Sequence, residues 1–291
     1  MSKTGAFVAI PIAVLVAIGL ALAGSQHGAT VQGIPVFALA VAVIFLIQWL
    51  AFVAAYLLKT EGFFDLTGAA TYIGVTIMAL LLSPAVDARS MLLAALVAIW
   101  AARLGTFLVR RIRKAGKDAR FDELKVSFVR FLSVWTIQGL WVTFTAAAAL
   151  AAITSATRKD LDLFAVTGAI VWILGFGVEA AADFQKGRFR ADPANKGEFI
   201  RSGLWAWSRH PNYFGEIVLW IGVAVIALPV LQGWQLVTLI SPAFVALLLT
   251  RVSGIPILEK RADETWGGRP DYEAYKRRTS VLVLRPPSGP K

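Results

Sequence analysis

Apolar positions in this chain come in long unbroken blocks rather than at the period of a surface helix or an exposed strand. Eight such blocks, residues 6–23, 36–58, 66–82, 91–109, 128–153, 163–182, 217–231 and 236–250, are separated by short polar segments. Most approach the roughly 20 residues that an α-helix needs to cross about 30 Å of hydrocarbon. The pattern predicts an all-α, polytopic transmembrane bundle of seven to eight spans, folded as one domain over residues 1–291. The last two blocks are short and bridged only by Gln232-Gly233-Trp234-Gln235, so they read as a helical hairpin with Trp234 anchored at the interface. The first holds Pro11 and lacks a small-residue cleavage site, so it reads as a membrane helix rather than a signal sequence.

Composition strengthens that picture. The chain is 57% hydrophobic and 16% charged, with a mean hydropathy of +0.67, where soluble domains sit near 45–50% and about 25%. Cysteine is absent, which excludes disulfides, thiolate metal sites and thiol nucleophiles. The net charge of +11 does not point to nucleic acid, because Lys and Arg fall between and after the apolar blocks. Segments 110–125 and 186–201 and the tail from Arg251 lie on one side if eight spans alternate. Positive-inside makes that side cytoplasmic, with both termini inside. Arg158 and Lys159 break the pattern and are partly balanced by Asp160 and Asp162. Residues 285–291, rich in Pro, read as a disordered tail.

The most specific stretch runs from Gly203 to Glu216 and holds His210, one of two histidines in the chain. Pro211 suits the first turn of a helix, and Ser208 is placed to cap it, so exposed amides there can face an anion. Arg209 offers charge for a phosphate, while Asn212, Tyr213 and Glu216 recur on neighbouring turns as partners for a ribose or an amide. The competing reading is an interfacial helix start, with Trp and Tyr at headgroup depth and Arg snorkelling. Upstream, Asp183 to Arg190 reads as a basic juxtamembrane loop that suits a polyphosphate or an anionic lipid. Gly175-Phe176-Gly177-Val178-Glu179-Ala180 matches a dinucleotide fingerprint but sits inside an apolar helix, so close helix packing is expected of its glycines instead. Arg103 lies near the middle of an apolar block, where a charge costs on the order of 2.5–3.5 kcal/mol, and it is expected to face a polar cavity or a partner.

The run from Asp183 to Glu216, centred on Arg209-His210-Pro211-Asn212-Tyr213-Phe214-Gly215-Glu216, resembles the C-terminal domain of the steroid 5α-reductase family, especially its bacterial branch. Trp100-Ala101-Ala102-Arg103-Leu104-Gly105 fits as well, as does Gly254-Ile255-Pro256 to Glu259-Lys260 with Tyr272, Tyr275, Thr279 and Ser280. The likeness covers roughly residues 63–284 and is strongest over 183–284, which it marks as the cofactor-binding half. It implies a monomeric reductase of a bacterial inner membrane, with a cofactor cavity open to the cytoplasmic side. Such an enzyme uses NADPH to deliver hydride to the conjugated C=C of a 3-oxo-Δ4 steroid or similar enone lipid. Carried over position by position, the likeness puts Asp183, Arg190, Trp205, Trp207, Asn212, Glu216 and Arg251 near the dinucleotide, with Arg103 and Gln138 reaching in from earlier helices. Arg201, Arg209, His210 and Tyr213 complete the expected cofactor set.

Hydride addition to an enone needs a donor that polarises the carbonyl oxygen. The resembled family shares that task between a glutamate on an early helix and a tyrosine on the next. Here the tyrosine position holds Trp100, and the carboxylate is Asp65 or Glu61. Glu61, Asp65 and Tyr72 share one helix face if helical geometry holds across Gly62. Otherwise Asp65 caps the third span and Glu61 lies in a solvated loop. The alternative function is an S-adenosylmethionine-dependent membrane methyltransferase of the isoprenylcysteine or phospholipid type, families with a similar Arg-His-Pro-x-Tyr turn. That cofactor has no phosphates, so Arg190, Arg201, Arg209 and Arg251 favour the reductase. A transporter would be expected to show paired discontinuous helices in corresponding halves, and no such repeat is evident.

Overall fold

A computed structural model describes residues 3–115 and 121–287, the side chains of 111–115 excepted. Part of the expected basic segment 110–125 and residues 288–291 of the expected tail lie outside the described residues. Among those described, eight helical stretches are long and apolar enough to cross a membrane, so the chain is a multi-pass, all-α integral membrane protein. It divides into two compact units, Met1–Val166 with Val223–Ser241, and Thr167–Gly222 with Pro242–Lys291.

The first unit contains α1 (Lys3–Ser25), α2 (Val36–Leu58), α3 (Phe64–Leu82), α4 (Ala88–Ala115) and α5 (Phe128–Thr154). A two-residue hairpin pairs Thr30–Val31 with Ile34–Pro35 between α1 and α2. Gln32 (φ 52°) and Gly33 (φ 81°) make its turn, and positive φ at both central residues matches the right-handed strand twist. Helix α5 is the pillar of this unit: 72% of its apolar window is buried, against 44% at most for the other spans. Its run Ala146, Ala147, Ala148, Ala149, Leu150, Ala151 and Ala152 is almost wholly enclosed, because small side chains let neighbouring backbones approach without the hydrophobic drive that water would supply. Several polar side chains on these helices bond one another or the backbone. Gln48 Nε2 donates to Thr71 Oγ1 at 3.0 Å, Trp49 Nε1 to Thr136 Oγ1 at 3.1 Å, and Thr143 Oγ1 to Gly139 O at 2.8 Å.

One end of this unit is held by arginines. Arg89, only 1% exposed, donates to Ile226 O (2.7 Å) and Asp160 O (2.8 Å) and pairs with Asp162 at 2.8 Å. The guanidinium beside Asp162 lowers that carboxyl below its ordinary value. Arg158 donates to Ser90 Oγ at 2.9 Å and stands 3.9 Å from Asp87. The residue that broke the charge pattern in the sequence is therefore part of a polar lock between the start of α4 and the segment after α5.

In the second unit, α6 (Leu163–Ala191) packs against the start of α7 (Pro211–Ala227) along glycines. A Cβ on Gly175 would lie 2.5 Å from Leu219 N, and one on Gly215 would lie 2.5 Å from Gly175 O. One on Gly222 would meet Gly168 O at 2.6 Å. Gly175 of the false fingerprint thus serves helix packing as expected, whereas Gly177 has nothing within 4 Å and faces open space.

Two sequence expectations need correction. Residues 183–190 are not a loop, because α6 continues to Ala191: hydropathy ends at Ala182, but Gln, Lys and Arg are good helix formers. The eighth span is not a short hairpin arm over 236–250 but a composite over Gly233–Trp266. It begins as a 3₁₀ helix (Gly233–Ile240), continues as α8 (Ser241–Leu247), widens into a π-helical turn (Leu248–Val252) and resumes after Gly254 as α9 (Ile255–Trp266). Helix α10 (Pro270–Arg278) follows.

Candidate functional site

Of the expected cofactor residues of the second unit, Asp183, Trp205, Arg209, His210, Asn212 and Tyr213 lie where α6 ends and α7 begins, while Arg251 sits in the π-helical turn before α9. Pro211 has no N–H and opens α7, as its fixed φ favours. Ser208 is not the cap the sequence suggested. Its hydroxyl donates to Leu282 O (2.8 Å) and accepts from His210 N (3.0 Å), which ties the approach to α7 to the chain after α10. Arg209 N to Ser280 O (2.8 Å) and Arg285 N to Trp207 O (3.1 Å) run along the same seam.

Around this start the side chains divide into pillars and presenters. Trp205 is 3% exposed, donates from Nε1 to Ala182 O at 3.0 Å and lies under Lys186 Nζ, 4.4 Å from its ring. Tyr275 donates to Trp205 O at 2.7 Å, and burial pushes its phenol well above the usual range. Tyr272 donates instead to Asp263 Oδ1 at 2.9 Å and meets Phe199 edge-on, and burial together with that bond raises its phenol as well. Both tyrosines are protonated pegs at neutral pH. Asn212 Nδ2 reaches Asp183 Oδ1 at 3.2 Å, so one bond joins α6 to α7. Trp207 is 47% exposed, and Arg190 and Arg251 are exposed too. Tyr213 and Glu216 are half-buried on α7.

Glu259 on α9 organises the centre. Its Oε2 pairs with Arg209 Nη2 and its Oε1 meets His210 Nε2, each at 2.8 Å. Arg209 Nη1 also donates to Lys276 O at 2.9 Å. The His210 ring stacks on Tyr213 with centroids 5.7 Å apart and planes 9° from parallel. Gly254 backs Tyr213: a Cβ there would lie 2.9 Å from Tyr213 Cε2. His210 is 4% exposed, and burial, with Lys186 and Arg209 nearby, holds its pKa below the ordinary 6.5 despite Glu259. Its Nδ1 has no hydrogen-bond donor within reach among the described residues. Arg201 is spent differently, in a surface pair with Asp271 at 3.3 Å.

The expected catalytic residues and two expected cofactor residues belong to the first unit. Glu61 does not share a helix face with Asp65 and Tyr72. Helix α2 ends before Lys59 in the left-handed region (φ 52°) and α3 starts at Phe64, so Glu61 sits in the turn. Nor is it solvated, being 6% exposed and bonded to Lys125 Nζ at 2.8 Å, which raises that amine's pKa. Asp65 does not cap α3 either. The boundary residue is Phe63, and Asp65 lies within the first turn, where the helix dipole favours a carboxylate. Asp65 and Tyr72 remain two turns apart on one face. Gln138 Nε2 donates to Phe64 O at 3.1 Å, and its amide fills the space that a Cβ on Gly68 would take. Tyr72 meets Trp100 edge-on, ring centroids 5.1 Å apart. Arg103 follows Trp100 by one turn of α4 and is half-buried.

Glu259 and Lys125 were not singled out as site residues from the sequence. Glu259 belongs to a stretch that carries the resemblance, but only the fold reveals the partner of either residue.

No curated protein and no solved structure matches the chain. The family model described as "Protein of unknown function (DUF1295)" matches residues 51–279, which takes in the turn before α3, the α6–α7 start and α9 with its Glu259. The chain belongs to that family of the DUF1295 description.

Proposed function

We propose that this protein is an NADPH-dependent membrane reductase that adds hydride to the conjugated C=C of a 3-oxo-Δ4 steroid or a similar enone lipid. The observation that carries the reading is the start of α7. There Asn212, held by Asp183, and His210, held by Glu259, flank Pro211 in a unit that also exposes Arg188, Arg190 and Arg251. Fixed neutral groups for amides and hydroxyls beside cations for phosphates are what a dinucleotide needs. When bound, NADPH supplies the hydride. The chain contributes the donor to the carbonyl oxygen. Where the resembled family has a tyrosine, this sequence has Trp100, and Tyr72 from α3 lies against it. Tyr72 is therefore our candidate for that hydroxyl, with Asp65 on the same face, whereas Glu61 is committed to Lys125.

One observation favours the methyltransferase instead. Of the four arginines offered for phosphates, Arg209 is neutralised by Glu259 and Arg201 pairs with Asp271, so two are already spent on carboxylates. S-adenosylmethionine would not need them. The deciding experiment titrates the purified protein with NADPH and, separately, with S-adenosylmethionine, and follows NADPH oxidation with a 3-oxo-Δ4 steroid. NADPH binding with enone-dependent oxidation, lost in Tyr72→Phe, is expected. Binding of S-adenosylmethionine alone overturns the reductase.

A further inference from the structure

We propose that Glu259 is a positioning residue that fixes the His210 proton on Nε2, so that Nδ1 accepts a hydrogen bond from an N–H or O–H donor of the bound cofactor rather than facing its phosphates. The inference rests on the reading that this end of the second unit binds a nucleotide cofactor.

A carboxylate only accepts hydrogen bonds. Glu259 Oε2 is occupied by Arg209, and Oε1 lies 2.8 Å from His210 Nε2, so the imidazole proton must sit on Nε2. Burial among Arg209 and Lys186 keeps the ring neutral, and Nδ1 then carries a lone pair. The ring cannot turn away to satisfy that lone pair. It is stacked on Tyr213, and Tyr213 is backed by Gly254. The backbone N–H of His210 is already given to Ser208 Oγ, Arg209 points Nη1 at Lys276 O and Nη2 at Glu259, and its Nε makes no hydrogen bond to the ring. The result is a rigid, enclosed acceptor with no donor in reach, and native proteins seldom leave such a group unpaired. Its chemistry selects the ligand group: a carboxamide or amino N–H, or a ribose O–H, completes it, whereas a phosphate oxygen repels it.

The chain has two histidines, so His27→Gln leaves His210 as the single imidazole. The test is ¹⁵N NMR of that imidazole in the full chain in nanodiscs at pH 7, alone and then with saturating NADPH or S-adenosylmethionine, with binding read independently by tryptophan fluorescence. We expect Nε2 protonated and Nδ1 bare in the free protein, and the Nδ1 resonance displaced as it gains a donor when a probe binds. A proton on Nδ1 in the free protein overturns the role of Glu259. A bound probe that leaves Nδ1 unmoved overturns the contact, while the cofactor reading survives. If neither probe binds, both fall. Two variants separate contact from support. Asn places an oxygen near Nδ1, so His210→Asn should keep affinity within about threefold, whereas Gln reaches only the Nε2 position, so His210→Gln should lose roughly tenfold. The reverse order means that His210 serves Glu259 alone.

Discussion

Two enclosed arginines, one in each unit, solve the same electrostatic problem with different results. Arg89 and Arg209 each pair with one carboxylate at 2.8 Å and donate to backbone carbonyls. Around Arg89 the partners are Asp162 and two carbonyls, and Asp162 Oδ1 in turn accepts from Ala165 N at 3.0 Å. Around Arg209 the carboxylate is shared. Glu259 uses its second oxygen to hold His210, whose other nitrogen is left with an open valence for hydrogen bonding. The first arrangement ties one carboxylate to backbone carbonyls, as a structural lock should, and the atom it leaves unpartnered is the Arg89 Nε donor. The second passes orientation through the carboxylate to a group that still has something to bind.

The sharpest separation should come from removing each cation. Arg89→Met is expected to destabilise the protein by about 3–5 kcal/mol in thermal unfolding in detergent, because breaking a buried pair strands its partners. Arg209→Met should cost less than half as much, since Glu259 keeps His210, while weakening the cofactor. Equal losses would erase the distinction.

Gly215→Ala separates packing from chemistry in the second unit. The new methyl would meet the backbone of Gly175 and Glu179 at 2.5 and 2.6 Å, and overpacking of this kind costs about 1–3 kcal/mol. Gly177→Ala, with nothing within 4 Å, should be neutral or stabilising by up to about 1 kcal/mol. A tolerated Gly215→Ala would show that the α6–α7 seam is not close-packed.

Acid should find the two clusters at different pH. His210 has a folded pKa below its ordinary 6.5, so the unfolded chain binds more protons between the two values. The associated stability is complete above 6.5 and is lost as pH falls through the folded pKa. Asp162, lowered by Arg89, contributes stability that is complete above its ordinary 3.8 and is lost only as pH falls through a still lower value. His210→Asn should therefore flatten the stability profile below pH 6.5 and leave its acid end unchanged; Asp162→Asn should do the converse. The smallest expected effect is that of Arg201→Ala. An exposed pair such as Arg201–Asp271 is worth about 0.5 kcal/mol, so a loss of NADPH affinity without loss of stability would assign that arginine to the cofactor.

The spans were legible because hydropathy reports burial in lipid directly. Helix α2 occupies the predicted residues 36–58. Where helix and hydropathy part company, as at Ala182 on α6, the sequence reading stopped early. The start of α7 was visible from Pro211 and the polar residues around it. Its organising carboxylate was not. Glu259 lies 49 residues from His210, and Lys125 lies 64 from Glu61, so neither pair leaves a local signature. The Glu61–Asp65–Tyr72 face failed for a related reason: spacing alone cannot reveal that Lys59 turns the chain into the left-handed region before α3 begins.

The eighth span shows that reach, as well as hydropathy, is encoded in helix type. A 3₁₀ helix rises about 2.0 Å per residue and an α-helix 1.5 Å. Gly233–Ile240 therefore extends about 16 Å, where the same residues wound as α-helix would extend only about 12 Å. Tighter winding thus gives the same apolar residues about 4 Å more reach. The change of winding falls at Ser241, where the chain also leaves one unit for the other. Deleting one residue before that point would shorten the span by more than deleting one after it, so insertions and deletions here act as a ruler for how much hydrocarbon this protein is built to match.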